Sequence, residues 1–240
     1  MSKLIAVCGS PNSGKTTAAL KLAQEIYHSK KTSVHFISPD TRVPCMGYLF
    51  PNGRDSELYS LGVALDKTDI FREDVLKQSV SVKTMQNFGF LGFKLGENRF
   101  SYPRPTEDKV VQMFKALREC VEYIICDCTC EHDDLVSNIA KRDCDIAVQM
   151  YSPDMRCLAY YASCVNQFLQ IRDKRLKVLN VMDKDIYVPI YETETHFNGM
   201  DYKLPYERDL KQQMITGTLS ERLGSCKYRE EIGRLAKAVM

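Results

Sequence analysis

Apolar positions along the chain fall into two kinds of run. Short, nearly unbroken runs at Leu4–Cys8, Val34–Ser38, Tyr123–Cys126, Asp145–Tyr151 and Leu176–Met182 read as strands covered on both faces. Between them, apolar residues recur at three- and four-residue spacing, which predicts helices with one buried face. Ala19, Leu20, Leu22, Ala23 and Ile26 mark such a face within 16–27. Thr106 is placed to cap a helix carrying Val110, Val111, Phe114, Leu117 and Val121. Leu135–Ala140 reads as a short helix, and Tyr228–Met240 as a closing one. Met155–Ile171 reads as one long amphipathic helix, lined by Met155, Leu158, Ala159, Ala162, Val165, Phe168 and Leu169.

Buried strands alternating with helices imply an α/β fold with a doubly wound, mostly parallel sheet and helices on both faces. Without repeats or low-complexity linkers, residues 1–240 read as a single domain. Its least regular part is an insertion-like stretch at about 41–105. There the pattern suggests two short helices, Leu58–Leu65 and Ile70–Val80, and a strand near Phe88–Phe93.

The first strand runs straight into Gly9-Ser10-Pro11-Asn12-Ser13-Gly14-Lys15-Thr16, which satisfies G-x-x-x-x-G-K-[ST] in the strand–loop–helix setting that gives the motif its meaning. Backbone N–H groups of such a loop converge on phosphate oxygens, helped by the helix N-terminus. Lys15 is placed to hold the terminal phosphates and Thr16 to offer a hydroxyl to Mg²⁺. Asp127 ends the strand Tyr123-Ile124-Ile125-Cys126 and is the second metal candidate. Asp40, at the carboxyl end of the second strand, is placed to orient an attacking water.

Composition changes this picture little. With 33 Lys+Arg against 31 Asp+Glu the formal charge is +2, so nothing in the overall charge calls for nucleic acid or an anionic membrane. No apolar run reaches the roughly 20 residues of a membrane span, and the N-terminus lacks a leader pattern. Ten cysteines without C-x-x-C pairs read as small buried hydrophobes, and the expected location is the cytoplasm.

Taken in order, these segments resemble the ParA/MinD-type ATPases of the SIMIBI class of P-loop proteins. The resemblance rests on Gly14-Lys15-Thr16-Thr17, on Val34–Asp40, on the strand through Asp127-Cys128, on Cys144–Asp154, on Leu179-Asn180 and on Leu204-Pro205-Tyr206. It implies ATP and Mg²⁺ as cofactors. It also implies that Asn180 and Pro205 border the base and that Thr17 belongs to the phosphate loop. The family's signature lysine, which reaches a dimer partner's phosphates, is Ser10 here, and Pro11 and Asn12 replace two glycines. The expected protein is an ATP-binding switch with slow hydrolysis, serving localisation or assembly of a pilus, a secretion apparatus or a DNA element. Its partners would be nucleotide, another protein and a homodimer not strongly dependent on ATP. The alternatives are a nucleotide-binding adaptor of the TadZ/CpaE type with little turnover and, less favoured, an iron–sulfur carrier.

Asn180-Val181-Met182-Asp183 also has the N-x-x-D spacing of guanine readers; ATP is kept ahead of GTP. Three further features have plainer readings. Cys126, Cys128, Cys130 and His132 alternate, but ligands two apart on one strand rarely close a tetrahedron. Arg172, Lys174, Arg175 and Lys177 could meet DNA phosphates, yet a solvated loop looks the same and is favoured. Ile232, Leu235, Ala236 and Val239 form a stripe better suited to packing than to membrane insertion.

Overall fold

The computed structural model of the 240-residue chain describes residues 2–50, 59–82, 84–186 and 188–240. Its eight strands are β1 (Lys3–Gly9), β2 (Val34–Ser38), β3 (Val80–Val82), β4 (Met85–Gly92), β5 (Tyr123–Asp127), β6 (Ile146–Tyr151), β7 (Arg175–Asn180) and β8 (Tyr202–Leu204). They form one sheet in the order β3-β4-β2-β5-β1-β6-β7-β8. Every pairing is parallel except β3 with β4. The expected doubly wound sheet is therefore present.

Period-two alternation divides each strand between two cores. Ile5, Val7, Phe36, Ile125 and Val148 face the layer of α1 (Lys15–Lys30), α2 (Met46–Leu49) and α10 (Lys227–Val239). Leu4, Ala6, Cys8, Ile124 and Cys126 face the layer of α3 (Leu61–Leu65), α4 (Arg72–Lys77), α5 (Glu107–Cys120), α6 (Leu135–Asp143) and α7 (Met155–Ser163). The remaining helices, α8 (Ile190–His196) and α9 (Arg208–Thr216), flank β8. The stripe Ile232, Leu235, Ala236 and Val239 is fully buried in the core that α10 shares with α1. Among the described residues no helix is long and apolar enough to cross a membrane.

The largest departure lies after β6. The expected helix over Met155–Ile171 stops at Ser163, and the chain rewinds into 3₁₀ turns at Val165–Lys174. The buried face is Cys157, Tyr161, Cys164, Phe168 and Ile171, whereas Met155, Val165 and Leu169 are exposed. A run rich in Ala, Leu, Met, Tyr and Cys has apolar groups on most sides, so period alone cannot set its phase. Tyr161 sets it: its hydroxyl donates to the Met150 carbonyl at 2.7 Å and its ring stacks on Tyr151.

Smaller corrections have similar causes. Val111 is exposed and Met113 takes its place in the α5 face, while Val121 lies past the helix end. The second short helix is only Arg72–Lys77, and Val80 belongs to β3. The first is Leu61–Leu65, and Leu58 lies outside the described residues. β7 ends at Asn180, so Val181 and Met182 belong to the following loop. The strand expected at Phe88–Phe93 is β4, and the irregular stretch thus supplies two strands of the sheet.

α1 is strapped to the segment before α10 by buried polar contacts. Lys21 is 3% exposed, and its ammonium donates to Gln213 Oε1 (2.8 Å), Leu219 O (2.8 Å) and Glu221 O (2.6 Å). Gln24 donates to Ser220 O, and Glu25 accepts from Arg222 and Arg229. Burial pulls the Lys21 amine down to about 7.

All ten cysteines are free thiols. Seven are buried, and burial pushes the Cys8, Cys45 and Cys126 thiols up, with the hydrogen bond to Cys128 the largest contribution at Cys126. Only the half-buried Cys120, Cys130 and Cys226 are therefore expected to react quickly with a thiol reagent, and denaturation should release all ten. Counting modified thiols against time by mass spectrometry checks this; fast labelling of Cys8 or Cys126 in folded protein contradicts the packing.

Candidate functional site

Every candidate residue emerges at one end of the sheet. The loop 9–17 follows β1, Asp40 follows β2, Asp127 ends β5, Asn180 ends β7 and Pro205 follows β8. These are carboxyl ends of parallel strands, where open α/β sheets leave a crevice for ligands.

The loop is built by close approaches. A Cβ at Gly9 would lie 2.4 Å from the Met150 carbonyl oxygen of β6. Asn12 (φ 57) and Gly14 (φ 76) both take left-handed backbone conformations, which Asn and Gly adopt at least cost. Between them the Ser13 N–H and hydroxyl both donate to Ser10 O, at 3.3 and 2.8 Å. A Cβ at Gly14 would meet Asn180 Nδ2 at 2.4 Å and Met182 Sδ at 3.1 Å. That crowding comes with a hydrogen bond: Asn180 Nδ2 donates to Ser13 O at 2.9 Å and ties β7 to the loop. α1 starts here with no acidic residue in its first turn, leaving its N–H groups and positive dipole end unopposed.

Lys15 bends back over the loop, donating to Ser10 O at 2.8 Å and to the Cys130 sulfur at 3.0 Å. Cys130 in turn donates to Gly9 O at 3.2 Å. Ser10, at the signature-lysine position, is fully buried with its hydroxyl unpartnered, and Pro11 and Asn12 are exposed. Thr17 reaches Met214 Sδ of α9 at 3.9 Å.

Asp127 is 4% exposed, and burial raises its carboxyl to about 6. The Thr16 and Ser38 hydroxyls and the Lys15 charge act in the opposite direction, while Asp40 adds to the rise. Ser38 donates to Asp127 Oδ2 at 3.3 Å, but Oδ1 is buried without a partner. An orphaned carboxylate oxygen beside Thr16 is what a divalent cation would satisfy, so Asp127 and Thr16 fit Mg²⁺. Asp40 is half-buried, and its Oδ1 accepts from Arg42 N (2.8 Å) and Val43 N (3.0 Å). It shapes its own turn, close enough to Asp127 to help raise that carboxyl.

At the far end of the sheet, Asn180 pairs in register with Leu204, which brings Pro205 beside it. Tyr206 lies under the ammonium groups of Lys184 and Lys211, and Lys211 also pairs with Asp183 at 3.2 Å. Cys130, Met182 and Met214 were not legible as site residues, since no motif marks a cysteine or methionine there. Their signal is positional only: each lies shortly after a strand end or on α9, whose Met214 and Gln213 reach Thr17 and Lys21 of α1.

The other candidates disperse. Cys128 Sγ points to Cys126 O and Ser137 O, Cys130 turns to the loop, and His132 meets Gln167. Among the described residues no cluster of three His, Cys, Asp or Glu side chains could hold a metal. Lys174 and Lys177 donate to backbone carbonyls and Arg175 to Gln149, leaving Arg172 alone of the basic cluster toward solvent.

No protein-family model matches the sequence, and comparison with curated proteins finds no relative. Solved structures do match along nearly the full length. A ParA family ATPase from Chlorobium tepidum superposes with a TM-score of 0.79 at 13% identity, covering 98% of this chain and 99% of that one. The septum site-determining protein MinD from Pyrococcus horikoshii, complexed with Mg-ADP, gives 0.74 at 16% identity over 100% and 96%. A plasmid partition protein of Borrelia burgdorferi bound to AMPPNP gives 0.70 at 15% identity over 100% and 98%. The fold is thus that of the ParA/MinD-type P-loop proteins.

Proposed function

We propose that the chain is a magnesium-dependent ATP-binding switch whose slow hydrolysis is coupled to localisation or assembly of a larger system. The carrying observation is the conjunction at one strand end of a left-handed Gly14 loop, the Lys15 ammonium and the unpartnered Asp127 Oδ1. Loop N–H groups and Lys15 would bind the phosphates, and Thr16 and Asp127 would hold Mg²⁺. The metal would neutralise charge on the terminal phosphates. Asp40 would orient water, while Asn180, Pro205 and Tyr206 would border the base. The fold shared with Mg-ADP-bound MinD and an AMPPNP-bound partition protein supports ATP ahead of GTP.

Lys15→Ala removes a charge-assisted contact worth about 1.5–3 kcal/mol, so nucleotide affinity should fall roughly tenfold or more. Calorimetry with ATP and Mg²⁺ checks it, and unchanged affinity refutes the loop assignment.

A second reading, an adaptor with little turnover, is favoured by one observation: Asp40 Oδ1 already accepts two backbone N–H groups. Phosphate release by wild type, Lys15→Ala and Asp40→Asn separates the two, since Asn preserves the turn but not the charge. A slow rate lost in both variants supports hydrolysis, whereas equal background rates support the adaptor. Ser10 has no cation to offer a partner's phosphates, which favours a homodimer that does not depend strongly on ATP. Light scattering without nucleotide, with ADP and with a non-hydrolysable ATP analogue reads that directly.

A further inference from the structure

A cleft of about 440 Å³ lies beside the phosphate site, distinct from it, between the loop before α5 and the loop after β5. That volume is in the range of small-molecule sites. Its walls are apolar, with Leu65, Phe93, Phe100, Tyr102, Leu135 and Val136 among them. Its floor is closed by the Tyr102 ring, which packs on Gly62 so closely that a Cβ there would come within 2.1 Å of it. Tyr102 is held by its hydroxyl, which donates to Glu97 at 2.6 Å, and Glu97 in turn accepts from Ser60 and from Lys94 N.

Three carboxylates and two arginines line the mouth. Two of the carboxylates, Asp134 and Glu131, are engaged, whereas the Asp133 carboxylate accepts no hydrogen bond among the described residues. Asp134 accepts from Val136 N, Thr129 and Ser137, and Glu131 pairs with Arg42. Asp133 is shared by Arg99 and Arg104, each 3.9 Å from one oxygen and so beyond hydrogen-bond length. On the donor side, Arg104 gives one hydrogen bond, to Asp133 O, and Arg99 gives none from its side chain among the described residues. Two guanidiniums, each more than 60% exposed, thus retain most of their N–H groups at the lip of an apolar cleft. Arg99 also lies 5.2 Å from the ring of Phe100, which is 85% exposed. An apolar body with a single carboxylate matches both halves: the body fills the cleft, and the fork geometry of arginine suits the carboxylate.

We propose that this cleft binds a small apolar organic acid, its hydrocarbon part between Phe93, Phe100 and Leu135 and its carboxylate on Arg99 and Arg104. Pro39 and Thr41, on either side of Asp40, and Thr129 and Glu131, just after Asp127, also line it. The occupant would touch both loops that flank the phosphate site, but its binding needs no nucleotide.

The test uses 4-phenylbutyrate as probe on the nucleotide-free chain, by ligand-observed NMR and calorimetry. Its uncharged amide and the tripeptide acid N-acetyl-Ala-Ala-Phe serve as comparisons. One-site binding of the acid is expected, with roughly tenfold weaker binding of the amide. A similar loss is expected in the Arg99→Ala/Arg104→Ala double variant, whose exposed positions spare the fold. Leu135→Trp, which fills the cleft from a half-buried position, should abolish binding. No binding at millimolar probe overturns the proposal, as does equal binding of acid and amide or indifference to either variant. Preference for the tripeptide acid with none for the small acid overturns it in favour of a peptide site.

Discussion

Asp127→Asn is expected to stabilise the nucleotide-free protein by about 2–3 kcal/mol at pH 8, and to remove the stability that Mg²⁺ with nucleotide adds to wild type. The wild-type carboxyl is raised to about 6 by burial, roughly two pH units above its ordinary value, and each unit is about 1.4 kcal/mol. Between about 4 and 6 the folded state binds the extra proton. Stability from this group therefore falls as pH rises through that window, and above pH 6 the full penalty of a buried carboxylate remains. Asn keeps the shape and drops the charge. His35 titrates with the opposite sign: burial lowers it to about 4, so its contribution grows as pH rises toward the ordinary histidine range. Only the difference between variant and wild type isolates Asp127. Urea denaturation from pH 4 to 8, with and without Mg-ATP, measures it. An apo variant less stable than wild type at pH 8 would show that Asp127 Oδ1 is satisfied without metal.

Lys21→Met should cost about 2–4 kcal/mol at pH 7, because Gln213, Leu219 and Glu221 each lose a donor in a buried setting. It should also flatten part of the pH profile. With the folded amine near 7 and the unfolded one near its ordinary value, the unfolded chain binds more protons above pH 7. Wild-type stability from this residue then rises by about 2 kcal/mol between pH 7 and 9. Buried thiols oppose that rise, since folding suppresses their ionisation, so here too the difference between proteins is the informative quantity. Chemical denaturation of both at pH 7, 8 and 9 tests the assignment. A variant that unfolds at the wild-type midpoint would mean that the strap on α1 is solvated.

What could be read in advance follows from how local each signal is. Leu4–Cys8 and Val34–Ser38 were legible because an unbroken apolar run in a parallel sheet needs no partner to declare itself. The loop was legible because its glycine and lysine are set by backbone geometry and charge within eight positions. The phase of α7 was not, since Tyr161 is fixed by the Met150 carbonyl and Tyr151 ring, contacts that exist only once β6 is in place. Cys130 escaped for the same reason: its contact with Lys15 joins two loops far apart in sequence. That Asp127 ends a strand was legible from the apolar run before it, but its orphaned oxygen is a property of the packed interior.

The hydrogen bond from Asn180 to Ser13, pressed against Gly14, also bears on how such a site can change over evolutionary time or be moved by design. The nine residues from Gly9 to Thr17 do not carry their own shape. Part of the template is the end of β7, more than 160 positions away. Grafting the loop into another sheet would import the motif without its mould, and a foreign side chain at the Asn180 position would decide whether Gly14 can still turn. Substitutions at Asn180 and in the loop should accordingly arise in pairs, so that a library randomising both together would recover nucleotide binders that neither single library contains.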